Sequence, residues 1–362
     1  MPKAITIEKI DGKPGQVYYP LKIHDLPSPK PAPNELVITV QAAALNHRDF
    51  FLRQHLYPSP SFTAPLLADG TGIVTGLGSA ASKSWLGKRV LLMPSRGWEE
   101  AHEGPETGNF AILGGTSTFP LGTLQEVLCV DEKEVEEVPG HLSAVEAAAL
   151  PLVGLTGWRA LVSKSGNALE GRNILITGIG GGVASAVLQF AVAMGMRVFV
   201  TSGGREKIEK AINLGAVGGV SYKGEKWEKE LKELLPKDRP FIDTIIDGAG
   251  GNVVSKAAKL LKSGGTIVQY GMTVGPKMDW SMLAVLNNLE LRGTTMGSRK
   301  EFRDMVSFVQ EKKIAPVISR TVKGIDNIKE IDELFEHMRD GSQFGKLVID
   351  ISADGNGGSS KL

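Results

Sequence analysis

The chain has 362 residues, enough for two domains with separate cores. Its 41 basic and 40 acidic residues leave a net charge of +1, which excludes a broad electrostatic footprint for nucleic acid or an anionic membrane. Hydrophobic residues make up 42% and fall in blocks, which excludes a disordered chain, and a single cysteine excludes both an intrachain disulfide and a cysteine zinc cluster.

The first seven residues lack the apolar core of a signal peptide. Short apolar or alternating runs at 37–42, 72–75 and 89–93 predict strands. Pro27, Pro29, Pro31 and Pro33 predict a stiff connector. Residues 94–120, rich in Gly, Pro, Glu and Thr, predict a long surface excursion. Cys129 lies in an apolar strand-like run and reads as a small buried hydrophobe. The apolar tract 145–162 is broken by Pro151, Gly154, Gly157 and Arg159, so it predicts no membrane span.

From about 140 to 295 strands and helices alternate, which predicts a parallel, doubly wound sheet. The most informative stretch is 173–184. An apolar strand runs into Thr177–Gly178–Ile179–Gly180–Gly181–Gly182, and an apolar helix follows over 183–194. The strict G-x-G-x-x-G spacing fails at Val183. In a shifted reading Gly178, Gly181 and Ala184 lie three apart, a small residue at each place where backbone must approach ligand or strand, with Ala as an accepted third residue. Either this loop cradles a dinucleotide pyrophosphate on backbone N–H groups, or it is a strand-to-helix turn that binds nothing. The strand at 197–201 favours the first, since it completes a βαβ unit. That strand ends in Ser202, Gly203, Gly204, Arg205 and Lys207, with no carboxylate at its tip. Cations and a hydroxyl there suit a 2′-phosphate, so the expected cofactor is NADPH. The other reading of Arg205 and Lys207, with Glu206 between them, is a solvated first helical turn.

Further along, helices are expected at 206–214, 227–235, 252–261 and near 280–287, and strands at 219–222, 241–247, 265–270 and 289–293. The tail adds helices at 300–312 and 327–339 and strands at 317–322 and 345–351. The final Ser360–Lys361–Leu362, after a small polar stretch, is a peroxisomal address, which implies an import receptor as partner and peroxisomal localisation, with the cytoplasm as the alternative.

Several ordered landmarks resemble one family. They are Ala44–Leu45–Asn46–His47–Arg48–Asp49, Ala68–Asp69–Gly70–Thr71–Gly72, Leu121–Gly122–Thr123–Leu124, the run 147–158, the glycine loop, and Phe344–Gly345–Lys346–Leu347–Val348. Together they resemble the medium-chain dehydrogenase/reductase superfamily in its zinc-free, quinone-oxidoreductase-like branch. The resemblance implies an α/β fold, with a GroES-like β-rich catalytic domain (1–131 and 296–351), a Rossmann domain (132–295), a flexible tail (352–362) and an active site in the cleft between the domains. It implies a pyrophosphate over Gly181, Gly182 and Val183, and a 2′-phosphate near Ser202, Arg205 or Lys207, and Tyr222. Thr156, Tyr270, Gly271 and Met296 are expected on the nicotinamide side, and Lys346 on the cofactor. Asn46 is the expected hydrogen-bond donor to a small-molecule substrate's carbonyl. Tyr57, eleven residues on, is either the proton donor or a loop tyrosine that packs against the domain.

Zinc-dependent relatives carry a ligand cysteine at the place of Asn46, His-Glu at Ala68–Asp69 and a second cysteine near Leu152; none of these stands here. The expected chemistry is therefore hydride transfer, without a metal, to a quinone or an α,β-unsaturated carbonyl. Alternatives are a peroxisomal enoyl-CoA reductase, with Arg48, Arg53 and Arg96 at a basic entrance, and a low-turnover NADPH-binding regulatory protein. Relatives that pair through the edge strand near 289–293 imply a homodimer.

Overall fold

The structure is a computed structural model that describes residues 1–352, except 107 and 276. The Ser360–Lys361–Leu362 tripeptide lies outside the described residues. The chain folds into two units, Met1–Leu152 with the chain from Ser298 onward, and Val153–Gly297. The first boundary comes later than residue 132 because Val135–Glu137 pairs with Arg89–Leu92, and Ala148 and Ala149 bury themselves with Ala42, Ala44 and Val348.

The first unit is built on a seven-stranded sheet. Its spatial order is Ile318–Lys323, Lys346–Asp350, Glu35–Ala44, Asp69–Leu77, Arg89–Leu92 and Val135–Glu137, and Val127–Asp131 also pairs with Glu35–Ala44. Alternating apolar residues on Glu35–Ala44 put Leu36, Ile38 and Val40 into a core with Ile5, Val74, Leu128, Phe335 and Leu347. Two pairings matter for chemistry. Ala44 lies opposite Asp69 on one side and opposite Val348 on the other. The chain just past Ala44, the start of one neighbouring strand and the start of the other therefore converge.

The second unit carries a six-stranded parallel sheet whose strands lie in the chain order third, second, first, fourth, fifth, sixth: Gly218–Ser221, Arg197–Ser202, Asn173–Ile176, Ile242–Asp247, Leu261–Gln269 and Glu290–Gly293. This is the doubly wound order, with its switch point between Asn173–Ile176 and Ile242–Asp247. The two strands flanking the switch point are buried on both faces and carry continuous apolar runs (Ile174, Leu175, Ile176; Ile245, Ile246), while the edge strand Glu290–Gly293 is largely exposed.

Two expectations shift. The helix over 252–261 is shortened to Val253–Ala257, because Leu261 already pairs with Ile242 in the sheet. The 94–120 excursion is anchored at its base. Ser95–Arg96 pairs with Ala111–Ile112, and Trp98, 3% exposed, packs edge-on to Phe110 at 5.7 Å. Among the described residues no helix is long and apolar enough to cross a membrane.

Candidate active site

In the second unit the strand Asn173–Ile176 enters a loop whose Gly178 (φ +62°) and Gly180 (φ +132°) adopt backbone that L side chains rarely reach. Gly178 N donates to Thr201 Oγ1 (3.2 Å) and Ile179 N to Thr201 O (2.8 Å), so the neighbouring strand holds the loop. The helix Gly182–Ala193 starts at once. Its N-cap, Gly181, has no side chain to offer the first-turn N–H groups, and the space where its Cβ would stand is open for 4 Å. An uncapped, twelve-residue helix behind an open glycine loop is a fitting cradle for a pyrophosphate. The helix Pro151–Trp158 lies close by: a Cβ on Gly157 would meet Val187 Cγ2 at 3.0 Å.

The expected 2′-phosphate residues gather beside this loop. Lys207 folds over Gly180, where an added Cβ would lie 3.1 Å from its Nζ. Burial lowers the Lys207 ammonium below its ordinary range, helped by the nearby Lys210. The Tyr222 hydroxyl would lie 2.6 Å from a Cβ on Gly203. Ser202 is buried at the strand end, and its Oγ accepts from Gly204 N (3.4 Å). Arg205 is the outlier: its exposed side chain pairs with Glu209 on its own helix (3.2 Å), as a solvated first turn would. Glu206 is likewise tied to Lys210 (2.6 Å).

Of the residues expected on the nicotinamide side, Thr156 Oγ1 donates to Met296 Sδ (3.5 Å), and Met296 itself takes a left-handed φ of +45°. The Tyr270 ring covers Gly248, where a Cβ would meet its Cζ at 2.4 Å, and Gly271 faces the Gly248 carbonyl. Burial raises the Tyr270 phenol well above its ordinary range, with a contribution from Asp247. Asp247, which sequence reasoning missed, ends the strand next to the glycine loop and is fully buried. It accepts from Thr177 Oγ1, Gly250 N (2.8 Å), Ala249 N (3.2 Å) and Gln269 Nε2 (2.7 Å), tying three loops at the carboxyl ends of the strands.

In the first unit Asn46 caps the helix His47–Arg53. Its backbone N donates to the Asp49 carboxylate (2.8 Å), one half of a capping box. Asn46 Nδ2 donates to Asp69 Oδ2 (2.9 Å). Asp69 Oδ1 accepts from Leu152 N (2.7 Å). Lys346, expected on the cofactor, instead gives its ammonium to Leu45 O, Asn46 Oδ1 and Asp69 Oδ2, each at 2.7 Å. Asp69 is 0% exposed and Lys346 4%. Tyr57 is half-buried, with the Arg48 guanidinium 4.5 Å from its ring centroid. Arg48 is fixed in turn by Leu113 O (2.7 Å), Gly114 O (3.1 Å) and Asp49 (3.0 Å). Asn46 and Lys346 therefore touch directly, while Tyr57 joins them through Arg48 and Asp49. The three arginines expected at a basic entrance are not loose surface charges: Arg48 and Arg53 are buried, and Arg96 pairs with Glu134 (3.3 Å).

Comparison with known proteins agrees with these two halves. A family described as alcohol dehydrogenase GroES-like domain matches residues 32–140, and one described as zinc-binding dehydrogenase matches 182–311. The zinc-type alcohol dehydrogenase-like protein YogA of Leptosphaeria maculans is 56% identical over 358 residues, covering 97% of this chain and 100% of that protein. The acryloyl-coenzyme A reductase of Metallosphaera sedula is 28% identical, covering 91% of this chain and 96% of that protein. A solved NAD-dependent alcohol dehydrogenase superposes with a TM-score of 0.83 at 28% identity, covering 97% of this chain and 100% of its own. The zinc in two of these names does not fit this chain's residues. At the places of the ligands stand a carboxamide, a carboxylate and a backbone N–H, and an ammonium already occupies the oxygens that could serve a cation. Among the described residues no group of three His, Cys, Asp or Glu side chains is placed to hold a metal elsewhere. With a dinucleotide cradle on one unit, a GroES-like domain as the other and a relative matched at 56% identity along its whole length, this chain is an oxidoreductase that belongs to the medium-chain dehydrogenase/reductase superfamily.

Proposed function

We propose that this chain is an NADPH-dependent, metal-independent reductase of α,β-unsaturated carbonyls or quinones. The observation that carries the reading is the Asn46–Asp69–Lys346 cluster, which holds a carboxamide donor where zinc-dependent relatives hold a metal. Without a Lewis acid the acceptor must be electrophilic through its own conjugation. NADPH supplies the hydride when bound. The backbone N–H groups at 181–183 would hold the pyrophosphate, and Lys207, Tyr222 and Ser202 would line the 2′-phosphate. Asn46 donates to the substrate carbonyl as negative charge develops there. Tyr57, its ring held by Arg48, gives the proton that completes reduction.

The relative named as an acryloyl-coenzyme A reductase favours an enoyl thioester within this class of acceptors. The edge strand Glu290–Gly293 exposes Leu291, and exposed Leu286 and Val285 precede it, which supports a homodimer that light scattering would detect. Peroxisomal import through Ser360–Lys361–Leu362 belongs to the same proposal and is tested by redistribution of a fluorescent fusion when the tripeptide is removed.

The deciding experiment follows oxidation of NADPH and of NADH against 9,10-phenanthrenequinone, a 2-alkenal and crotonyl-CoA, alongside a simple alcohol with NADP⁺. Turnover of a conjugated acceptor with NADPH, and none of the alcohol, is expected. Brisk alcohol oxidation overturns the reading, and tight NADPH binding with no turnover at all favours a regulatory binding protein.

A further inference from the structure

The polar side chains of the Asn46 cluster are buried, so their bonding determines what Asn46 can do. An ammonium has three hydrogens, and Lys346 has three acceptors at 2.7 Å: Leu45 O, Asn46 Oδ1 and Asp69 Oδ2. The carboxamide thus has its oxygen on a cation and one N–H on a carboxylate. The reverse rotamer would press the amide NH₂ against the ammonium, so the orientation is unique. The second Nδ2 hydrogen takes no partner among the described residues. A cation on Oδ1 draws electron density through the planar amide and makes that remaining N–H a stronger donor. Asp69 alone would give the cluster a buried negative charge beside a developing oxyanion; Lys346 cancels it.

We propose that Lys346 is a positioning residue whose ammonium fixes and polarises the Asn46 carboxamide, so that the free N–H steadies the oxyanion formed on the acceptor. It thereby acts, one residue removed, as the metal ion does in zinc-dependent relatives. No proton leaves Lys346 and no bond forms to it. This rests on the reductase reading above and assigns Lys346 to the substrate end of the reaction, not to the cofactor.

The test compares the unmodified protein with Lys346→Met, Lys346→Arg and the charge-balanced double variant Lys346→Met/Asp69→Asn. It reads the side-chain ¹⁵N–¹H resonances of Asn46, the NADPH Kd, and kcat and KM for an enone. Lys346→Met should lower kcat about 10²-fold while NADPH Kd stays within about twofold. It should also move the free Asn46 N–H upfield. Lys346→Arg keeps the charge but presents a planar fork to three diverging acceptors, so it should recover only part of kcat. The double variant removes the unpaired buried charge and should regain thermal stability, yet remain at least about tenfold low in kcat, with the N–H still upfield. Full recovery of kcat in the double variant would make the role purely structural and overturn the proposal. So would an NADPH Kd weakened about tenfold with kcat retained at saturation, since Lys346 would then grip the cofactor. An unmoved Asn46 resonance in Lys346→Met overturns it whether or not any enone is reduced. Absence of turnover by the unmodified protein counts against the reductase reading alone, and the amide resonance then decides this one.

Discussion

Asp49 links the helix that carries Asn46 to the arginine that holds Tyr57. It is fully buried, and burial pushes its carboxyl from an ordinary 3.8 up to about 6, against the pull of Arg48 and the Asn46 N–H. A carboxyl raised on folding contributes stability that is complete below its ordinary value and is lost as the pH climbs through the raised one. The melting temperature of the unmodified protein, measured relative to Asp49→Asn, should therefore fall between about pH 4 and about pH 6 and level off above. A difference that grows over that range would contradict the assignment. Tyr57→Phe addresses the neighbouring group. It removes the hydroxyl while leaving the ring under Arg48, so enone reduction should slow by about 10²-fold with little change in melting temperature. An unaltered kcat would transfer the proton donor's part to solvent.

At the scale of elements, the glycine loop and its helix separate stability from binding. Gly181 has φ −74° and open space around its missing Cβ, so a side chain there meets neither strain nor clash. Gly181→Asp should cap the helix and add about 0.3 kcal/mol of stability. The same carboxylate would sit where a pyrophosphate belongs, so NADPH affinity should drop by at least about 10²-fold. Thermal melting and a fluorescence titration would reveal the opposite signs, and equal affinity in the variant would remove the loop from the cofactor site. How this element reads from sequence is instructive. Strand, glycines and helix lie within twenty-one consecutive residues, Asn173 to Ala193, and left-handed backbone at Gly178 and Gly180 is a local demand that only glycine meets cheaply. The helix expected over 252–261 fails for the opposite reason. Its apolar residues suit a helix taken alone, but pairing of Leu261 with Ile242 extends the following strand backward.

For the molecule as a whole, the metal question is the sharpest. An ammonium bonded to both oxygens that could serve a cation predicts a protein purified without stoichiometric zinc, with reductase turnover unchanged by prolonged dialysis against a chelator. Elemental analysis and the assay would show it, and turnover lost to chelation and restored by zinc would refute it.

The parallel sheet, the glycine loop and the missing zinc ligands could be read along the chain, because apolar periodicity, glycine torsions and residue identity are properties of neighbours. Asn46, Asp69, Leu152 and Lys346 could each be singled out, but not what they do to one another. Lys346 lies 277 residues from Asp69, and the two meet because both of their strands flank Glu35–Ala44. A buried charge takes whatever partner tertiary packing delivers, since the cost of leaving it unpaired exceeds any local preference. That is why Lys346, which the family pattern sends to the cofactor, faces a carboxylate and a carboxamide here.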